Sequence, residues 1–558
     1  MAAKETLIGA IEKALRDLGV EKPVAVLERP AEMAHGDYAT NVALSCAKQL
    51  GKNPRELAES IVVELQKNKS DFVEKIEIAG PGFINFHLKP EYFVETLKGL
   101  DDTYGKGISL RGKTVLVEYT QPNILKPFHI GHLMSNAIGE SLSRLIENAG
   151  ASVKRLNYQG DIGLHIAKAL WGIKALTADP RDIDAIGKAY AHGAQTYEND
   201  EKAKAEIVEL NEKIYKNDPE IHELYEIGKA TSLKRFEELY EILGTKFDRY
   251  YLESEVWQRG VELVNEGKDK GIFKESDGAI VFSGEEHGLH TRVFITSKGI
   301  PVYEAKELGL AERKAKEFTF DTSITITAVE QEQYFEVVFK ALSLLRPEFA
   351  EKFTHIAHGM MQLSGGKMSS RLGNVITGDS LISDLIEEVK EKMGDRVSAS
   401  DTPVVSRDVG VAAIKYSVLR QALRKNIVFD KGKSLSFEGD SGPYIQYTTV
   451  RAKSVVAKAK SAGIVLSFEK TPEEIGIVEK LLERFPEVAA RAATEREPHH
   501  VATYAIELAS AFNSWYAGQQ IVNTEDPLSP YRVALTKATA IVLEKALWLL
   551  GIRVPSVM

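Results

Sequence analysis

Two histidines three residues apart, His129 and His132 in the stretch PNILKPFHIGH (122–132), are the side chains best placed to do chemistry. They follow a short apolar run, Val115-Leu116-Val117. They precede a segment in which Leu133, Ile138, Leu142, Leu145 and Ile146 recur at helical spacing. Strand, glycine-containing turn and helix form the first unit of a doubly wound nucleotide-binding sheet, and phosphate sits where such a helix begins. At that N-terminus both imidazoles can face one ligand. Gly131 between them leaves room for a base or ribose to approach the backbone. The chemistry this implies is stabilisation of charge developing on a nucleotide phosphate. An HxGH without that context is more often a helix cap with two surface histidines.

A second cluster lies far downstream, in SGGKMSSRLGN (364–374). Its flanking glycines, Lys367, Arg371 and three serines suit a loop that closes over a triphosphate and steadies departing pyrophosphate. Alone it reads equally well as a polar turn. Together the two clusters resemble the HIGH and KMSKS signatures of class I aminoacyl-tRNA synthetases.

The elements that must position these groups are legible in outline. With 558 residues the chain exceeds one core, and three or four domains are expected. The first hundred residues read as a small α+β module, with helical patterns at about 3–18 and 39–67 followed by alternating Phe83, Phe86 and Leu88. A Gly- and Asp-rich hinge, 101–112, precedes the strand at Thr114. From there to about residue 400 short apolar runs (Ala279–Phe282, Val293–Ile295, Ile324–Ala328) alternate with helical ones. A charged helical stretch at about 165–245 reads as an insertion. From about residue 404 only helical periodicity is visible, roughly five helices broken near Gly432, Gly463, Pro498 and Pro527. The expected domains are therefore 1–105, 112–400 and 401–558.

A hydrophobic content of 44% and a charged content of 27% are ordinary for globular proteins. The one cysteine, Cys46, excludes a disulfide framework and a cysteine-based zinc cluster, and fits a reducing cytoplasm. No run reaches the roughly 18 apolar residues of a membrane span, and the N-terminus is unlike a signal peptide. Net charge is −9, which argues against a nucleic-acid partner globally. Local excess matters more: Lys415, Arg420, Arg424, Lys425, Lys431 and Lys433 face one acid, Asp430, and Arg451, Lys453, Lys458 and Lys460 follow. That concentration points to a phosphate-binding surface.

Nearly the whole chain resembles the arginyl-tRNA synthetase family. HGDYATNVALSCAK (35–48) and AGPGFINF (79–86) are similar to its additional N-terminal domain. EYTQPNILKPFHIGH (118–132) and GKMSSRLGN (366–374) are similar to its forms of the two signatures. GDSGPYIQYTTVRAKS (439–454) and EPHHVATYAIELASAFNSWY (497–516) are similar to its helical anticodon-binding domain. The closing LLGIRVPSVM fits the family's usual C-terminus, so an intact chain is expected.

The resemblance implies an α/β fold with a Rossmann-like catalytic core, a small α+β N-terminal domain and an all-α C-terminal anticodon-binding bundle. It implies two-step ligation of L-arginine to arginine tRNA. The arginine carboxylate attacks the α-phosphate of ATP, and arginine then passes from the adenylate to a tRNA 2′-hydroxyl. Activation that requires bound tRNA is part of the implication. His129, His132, Lys126, Lys367 and Arg371 take the catalytic roles, and Pro122, Phe128, Gly131, Met368, Ser369 and Ser370 line ATP. Mg2+ arrives with ATP, without a dedicated protein site.

A planar, permanently charged guanidinium calls for carboxylates and an aromatic or amide partner. Tyr303 and Glu307 in PVYEAKELGLA (301–311) share a helix face. By resemblance they hold the guanidinium, with Glu118, Asn123 and Gln331 also contacting arginine. The family usually has Asp where Glu307 stands, and a small hydroxyl residue where Gln121 stands. Ser370 replaces the second lysine of KMSKS, so Lys126 is expected to supply part of the missing charge. Leu372 occupies a position that is often basic. Phe83 and Asn85, with Arg420, Arg424, Lys425 and Arg451, are the expected tRNA contacts. A monomeric, cytoplasmic enzyme is the expectation. The competing readings are a small-molecule nucleotidylyltransferase, a glutamyl- or cysteinyl-type synthetase, and a catalytically dead tRNA-binding scaffold.

Overall fold

The computed structural model describes residues 3–30, 32–364, 377–394 and 397–558. The chain divides into two compact units: residues 1–102, 455–484 and 514–539, and residues 103–454, 485–513 and 540–558.

The first unit begins with α1 (Ala3–Asp17), β1 (Tyr38–Thr40), α2 (Val42–Leu50), α3 (Pro54–Lys67), β2 (Val73–Ala79), β3 (Phe83–Leu88) and α4 (Pro90–Lys98). The helical pattern expected at about 39–67 thus covers the end of β1 and two helices, α2 and α3. Gly51 ends α2 in the left-handed region at φ +61, and Asn53 caps α3 by accepting from the Arg55 N–H at 2.9 Å, with Pro54 in the first turn. β3 lies between β1 and β2 in an antiparallel sheet. Leu7, Ile11, Leu57, Ile61, Ile84 and Phe86 pack one core against it.

The second unit carries β4 (Thr114–Glu118), α5 (Ile130–Asn148), β5 (Ser152–Gln159), α6 (Leu164–Leu176), α7 (Ile183–Asn199), α8 (Glu201–Tyr215), α9 (Pro219–Leu243) and β6 (Arg249–Leu252). It continues through α10 (Glu253–Asp269), β7 (Lys274–Ser276), β8 (Ala279–Phe282), β9 (Arg292–Ile295), α11 (Tyr303–Glu317), β10 (Thr322–Ala328), α12 (Glu332–Leu345), β11 (Phe353–His358), β12 (Met361–Leu363), α13 (Gly378–Met393) and α14 (Thr402–Leu419). Then come β13 (Ile427–Phe429), α15 (Lys431–Ser434), α16 (Gly442–Ser461), α17 (Ile477–Glu495), α18 (His499–Ala517) and α19 (Ser529–Leu549), the last four running partly or largely in the first unit.

Five strands form one sheet in the order β11-β10-β4-β5-β6, with every neighbouring pair parallel. Chain order reverses between β4 and β10, so the crevice at their carboxyl ends is where a doubly wound sheet binds ligand. Three of the apolar runs do not share this sheet equally. β8 lies between β7 and β9 in a separate antiparallel sheet, while β10 lies inside the parallel one, between β11 and β4. Helices α6–α9 fill the expected insertion. The region after residue 404 is not purely helical: β13 pairs in parallel with β12. Three residues are too few for an alternating pattern to show.

Two glycines bring α11 against α10. A Cβ on Gly309 would lie 2.2 Å from Val256 O, and one on Gly260 would lie 2.1 Å from Ala305 O. That close approach fixes α11, and with it Tyr303 and Glu307.

Candidate active site

The segment between β4 and α5 is held in strained geometry. Thr120, Gln121 and Leu125 all have positive φ (79°, 50° and 56°), and none is glycine. Each such residue costs about 1–3 kcal/mol unless its surroundings enforce it. Here they do. Thr120 N–H donates to Ser135 Oγ at 3.0 Å, and that hydroxyl donates to Ile326 O on β10 at 3.0 Å. Gln121 N–H donates to Asn157 Oδ1 at 3.2 Å, Ile124 N–H to Gly160 O at 2.9 Å, and Leu125 N–H to Ser232 Oγ at 3.0 Å. Groups from α5, β5, β10 and α9 thus aim the loop that carries Asn123, Lys126 and His129. Pro122 and Phe128 are buried within it, and Phe128 packs against His132 and Phe236.

His129 is the N-cap of α5 and forms a capping box with His132. Each Nδ1 accepts a backbone N–H from the other residue, at 3.2 and 3.4 Å, and the rings stack with centroids 3.5 Å apart. A Cβ on Gly131 would lie 3.0 Å from the His129 ring, so glycine admits the imidazole over the first turn. Burial, with Lys126 adding to it, pushes His129 down to about 4; burial, then His129 and Lys126, holds His132 well below the ordinary histidine value. Both are neutral at pH 7. Because each Nδ1 is an acceptor, the proton resides on Nε2, leaving one N–H donor per ring for an incoming oxyanion. Lys126 lies 5.4 Å from the Tyr190 ring and has no ion-pair partner among the described residues.

The acidic groups converge at the carboxyl end of β4. Glu118 is fully buried, in ion contact with the buried Lys314 and accepting from Gln121 Nε2 at 2.6 Å. Glu307, one turn into α11, has no hydrogen bond or ion pair among the described residues. Burial and the nearby Glu118 carboxylate push its carboxyl up to about 8. Tyr303 is half exposed, its hydroxyl 3.3 Å from His165 Nδ1. Asn123 pairs through its backbone with Gly160. Gln331, at the start of α12, is exposed.

Four further residues enter the site without having been singled out in the sequence. Tyr158 is buried with no hydrogen-bond partner for its hydroxyl, and burial together with Glu253, Glu307 and Glu118 raises its pKa. Glu253 pairs with the buried Lys306 at 2.7 Å; that contact keeps Lys306 protonated against burial. His165 is pushed by burial down to about 3, and its Nε2 is buried without a partner. The available signal was the turn Gly160-Asp161-Ile162-Gly163 between β5 and α6, a second strand–glycine–helix unit beside the first.

Residues 365–376 lie outside the described residues, and Lys367, Met368, Ser369, Ser370 and Arg371 with them. Thr377, which follows, forms an antiparallel bridge with His129, and Gly378 N–H donates to Phe128 O at 2.8 Å. A bidentate pair joins Asp379 to Arg235 on α9, at 2.6 and 2.8 Å.

The expected tRNA contacts differ in availability. Phe83 is 41% exposed on β3, whereas Asn85 is buried. Lys425 is exposed and unpaired among the described residues. Arg420 pairs with Asp440 at 2.8 Å, Arg424 with Glu332, and Arg451 donates to Tyr447 Oη and Asn513 Oδ1, each at 3.0 Å. The basic cluster read from sequence is thinner than expected. Lys415 is fully buried, donating to Leu243 O and Gly551 O, and Lys431 and Lys453 pair with Glu388 and Glu544.

Comparison with known proteins bears on this arrangement along the whole chain. The family model described as "tRNA synthetases class I (R), catalytic domain" matches residues 100–431. The "Arginyl tRNA synthetase N terminal domain" matches 4–88, and the "DALR anticodon binding domain" matches 445–558. The arginine–tRNA ligase of Clostridium acetobutylicum is 32% identical over 571 aligned positions, covering 99% of each chain. That of Clostridium perfringens is 33% identical, covering 96% of this chain and 97% of its own. The arginyl-tRNA synthetase structure of Thermus thermophilus superposes with a TM-score of 0.81 at 25% identity, covering both chains completely. With relatives this similar over this much of its length, the chain belongs to the arginyl-tRNA synthetases, class I aminoacyl-tRNA synthetases with a parallel-sheet catalytic domain, an N-terminal domain and a helical C-terminal domain.

Proposed function

We propose that this chain ligates L-arginine to its cognate tRNA in two steps driven by ATP. The observation that carries the reading is Glu307, a carboxylate left unpaired beside Glu118 at the switch point of the sheet. An arginine guanidinium supplies what that pocket lacks: a fixed positive charge with five donors. Glu307 takes the guanidinium, with Tyr303 over its face; Glu118, Asn123 and Gln331 orient the α-amino and carboxylate ends.

Positioning and charge stabilisation carry the first step, and no protein nucleophile is needed. The arginine carboxylate attacks the ATP α-phosphate in line, and pyrophosphate leaves. The neutral His129 and His132 donate Nε2–H to phosphate oxygens as charge builds. Lys126, Lys367 and Arg371 balance the departing pyrophosphate, and Pro122, Phe128, Gly131, Met368, Ser369 and Ser370 line the nucleotide. These are cations, N–H donors and packing groups rather than metal ligands, so magnesium belongs to ATP and not to a protein site. In the second step the 2′-hydroxyl of the terminal tRNA adenosine attacks the arginyl carbonyl of the adenylate, forming the ester as AMP leaves and the hydroxyl gives up its proton. Lys425, exposed and unpaired among the described residues, and the exposed Phe83 are the strongest tRNA contacts; Arg420, Arg424 and Arg451 must first leave their present partners, and Asn85 is buried in β3. The reading extends to a monomer acting in the cytoplasm.

The test is arginine-dependent ATP–pyrophosphate exchange with and without transcribed arginine tRNA, the other amino acids serving as controls. Exchange with arginine alone, dependent on tRNA, is expected; exchange with another amino acid overturns the pocket assignment. Lys126→Ala is expected to reduce exchange at least 100-fold, and activity within a few-fold of the parent would remove Lys126 from the mechanism.

A further inference from the structure

At the amino-terminal ends of β4 and β10, opposite the site just described, lies a cavity of 540 Å3. Its size falls within the roughly 300–1,000 Å3 of small-molecule pockets. Val115, Ile146 and Ile324 form an apolar wall, and the junction between α17 and α18 contributes Thr494 and Arg496. Val115 is three residues from Glu118 along β4, about 10 Å at strand rise, so the two sites occupy opposite ends of one strand.

Arg496 is the unexplained group. It forms no hydrogen bond or ion pair among the described residues, and burial alone lowers its pKa. The acid among the lining residues of the cavity is already committed: Asp321 accepts from Lys113 Nζ at 2.8 Å through one oxygen and from Thr114 N–H at 2.9 Å through the other. The backbone at Arg496 adds a second oddity. Glu497 N–H donates to Ala492 O at 3.0 Å, which closes α17 with the bond pattern that places a left-handed residue at position 496. Glycine adopts that conformation freely, yet arginine holds it at φ +57. A strained backbone, a half-buried guanidinium without a counter-ion and an adjoining apolar cavity are three separate observations at one place.

We infer that this cavity binds a small organic anion, with its carboxylate or phosphate on Arg496 and its apolar body against Val115, Ile146 and Ile324. The guanidinium fork gives such an anion two parallel hydrogen bonds. Thr494 adds a hydroxyl at the rim. Inorganic phosphate fills the charge requirement and leaves the apolar wall unused, so it binds more weakly than a phosphate or carboxylate carrying a ring.

The experiment is titration calorimetry and ligand-observed NMR on the full chain, with saturating ATP and arginine occupying the carboxyl-end site. The probes are benzoate and phenyl phosphate, with benzamide and inorganic phosphate for comparison. Saturable binding of a ring-bearing anion, at least tenfold tighter than benzamide and at least tenfold weakened by Arg496→Gln, is expected. Arg496→Lys keeps the charge without the fork and is expected to lie between; it serves if the glutamine variant melts early. Absence of saturable binding by both anions, or equal binding to parent, Arg496→Gln and Arg496→Lys, would overturn the inference.

Discussion

Two glutamates five residues apart on α11 have opposite fates. Glu312 is gripped by Arg259 at 2.5 and 2.9 Å, by Arg346 at 2.9 Å and by Lys316 at 3.3 Å; its hydrogen bond from Arg259, before all else, pulls its carboxyl down to about 2. Glu307 meets burial and another carboxylate, and is pushed up to about 8. The same helix therefore carries an acid whose needs the fold satisfies and an acid whose needs it leaves open. The first holds α10, α11 and the end of α12 together. The second makes sense when a cation arrives from outside, because a half-buried carboxyl without a partner is otherwise a cost.

The contrast can be broken most directly by Glu307→Gln. That variant should lose about 100-fold or more in kcat/KM for arginine-dependent exchange, the penalty for removing one partner of a buried ion pair, while its melting temperature stays near or above the parent's. A parent-like kcat/KM would take Glu307 out of the pocket. Next comes pH. Arginine must displace a proton from Glu307, so its KM should rise about tenfold between pH 9 and pH 7, and the rise should vanish in Glu307→Gln. The stability slopes are opposite in sign. A carboxyl held above its ordinary 4.5 binds an extra proton in the folded state, so Glu307 makes stability fall as pH climbs from about 4.5 to about 8. Glu312, held below 4.5, contributes stability above that value that is lost as pH drops towards 2.

Glu312→Gln should act on stability and not on chemistry. Loss of its charge-assisted bonds costs about 2 kcal/mol, seen as a fall of about 2–4 °C in apparent melting temperature, with exchange within a few-fold of the parent. A large loss of exchange would blur the division between the two acids. The smallest effect belongs to Glu266→Gln. Glu266 is also pulled down to about 2, first by Arg346 and then by Lys270, but it lies close to solvent, where ion pairs contribute about 0–1 kcal/mol. A shift as large as that of Glu312→Gln would show that exposure does not separate them.

The same contrast explains what was legible in the sequence. His129, His132 and Lys126 were readable because strand, turn and helix are local patterns and the residues sit inside one short motif. Tyr303 and Glu307 were readable as a spacing. Glu253, His165 and Tyr158 were not, since a glutamate's pairing or a phenol's orphaned hydroxyl depends on residues 50–150 positions away. The basic cluster failed for the same reason: Lys415 counts as surface charge until its carbonyl partners on α9 and beyond α19 are seen. The helical pattern read across 39–67 hides a break between two helices, because Gly51, Asn53 and Pro54 are stop and start signals within a continuous apolar pattern.

The bridge between His129 and Thr377 has a consequence for synthesis of the chain. These residues are about 250 positions apart in sequence, and contacts of that span form late. A nascent chain that has emerged as far as β11 already holds all five strands of the parallel sheet, yet lacks the clasp on the histidine turn. Translation therefore supplies all five strands of the sheet before it supplies Thr377, and a product truncated before α13 would carry the complete set of strands without the backbone bridge to the histidine turn.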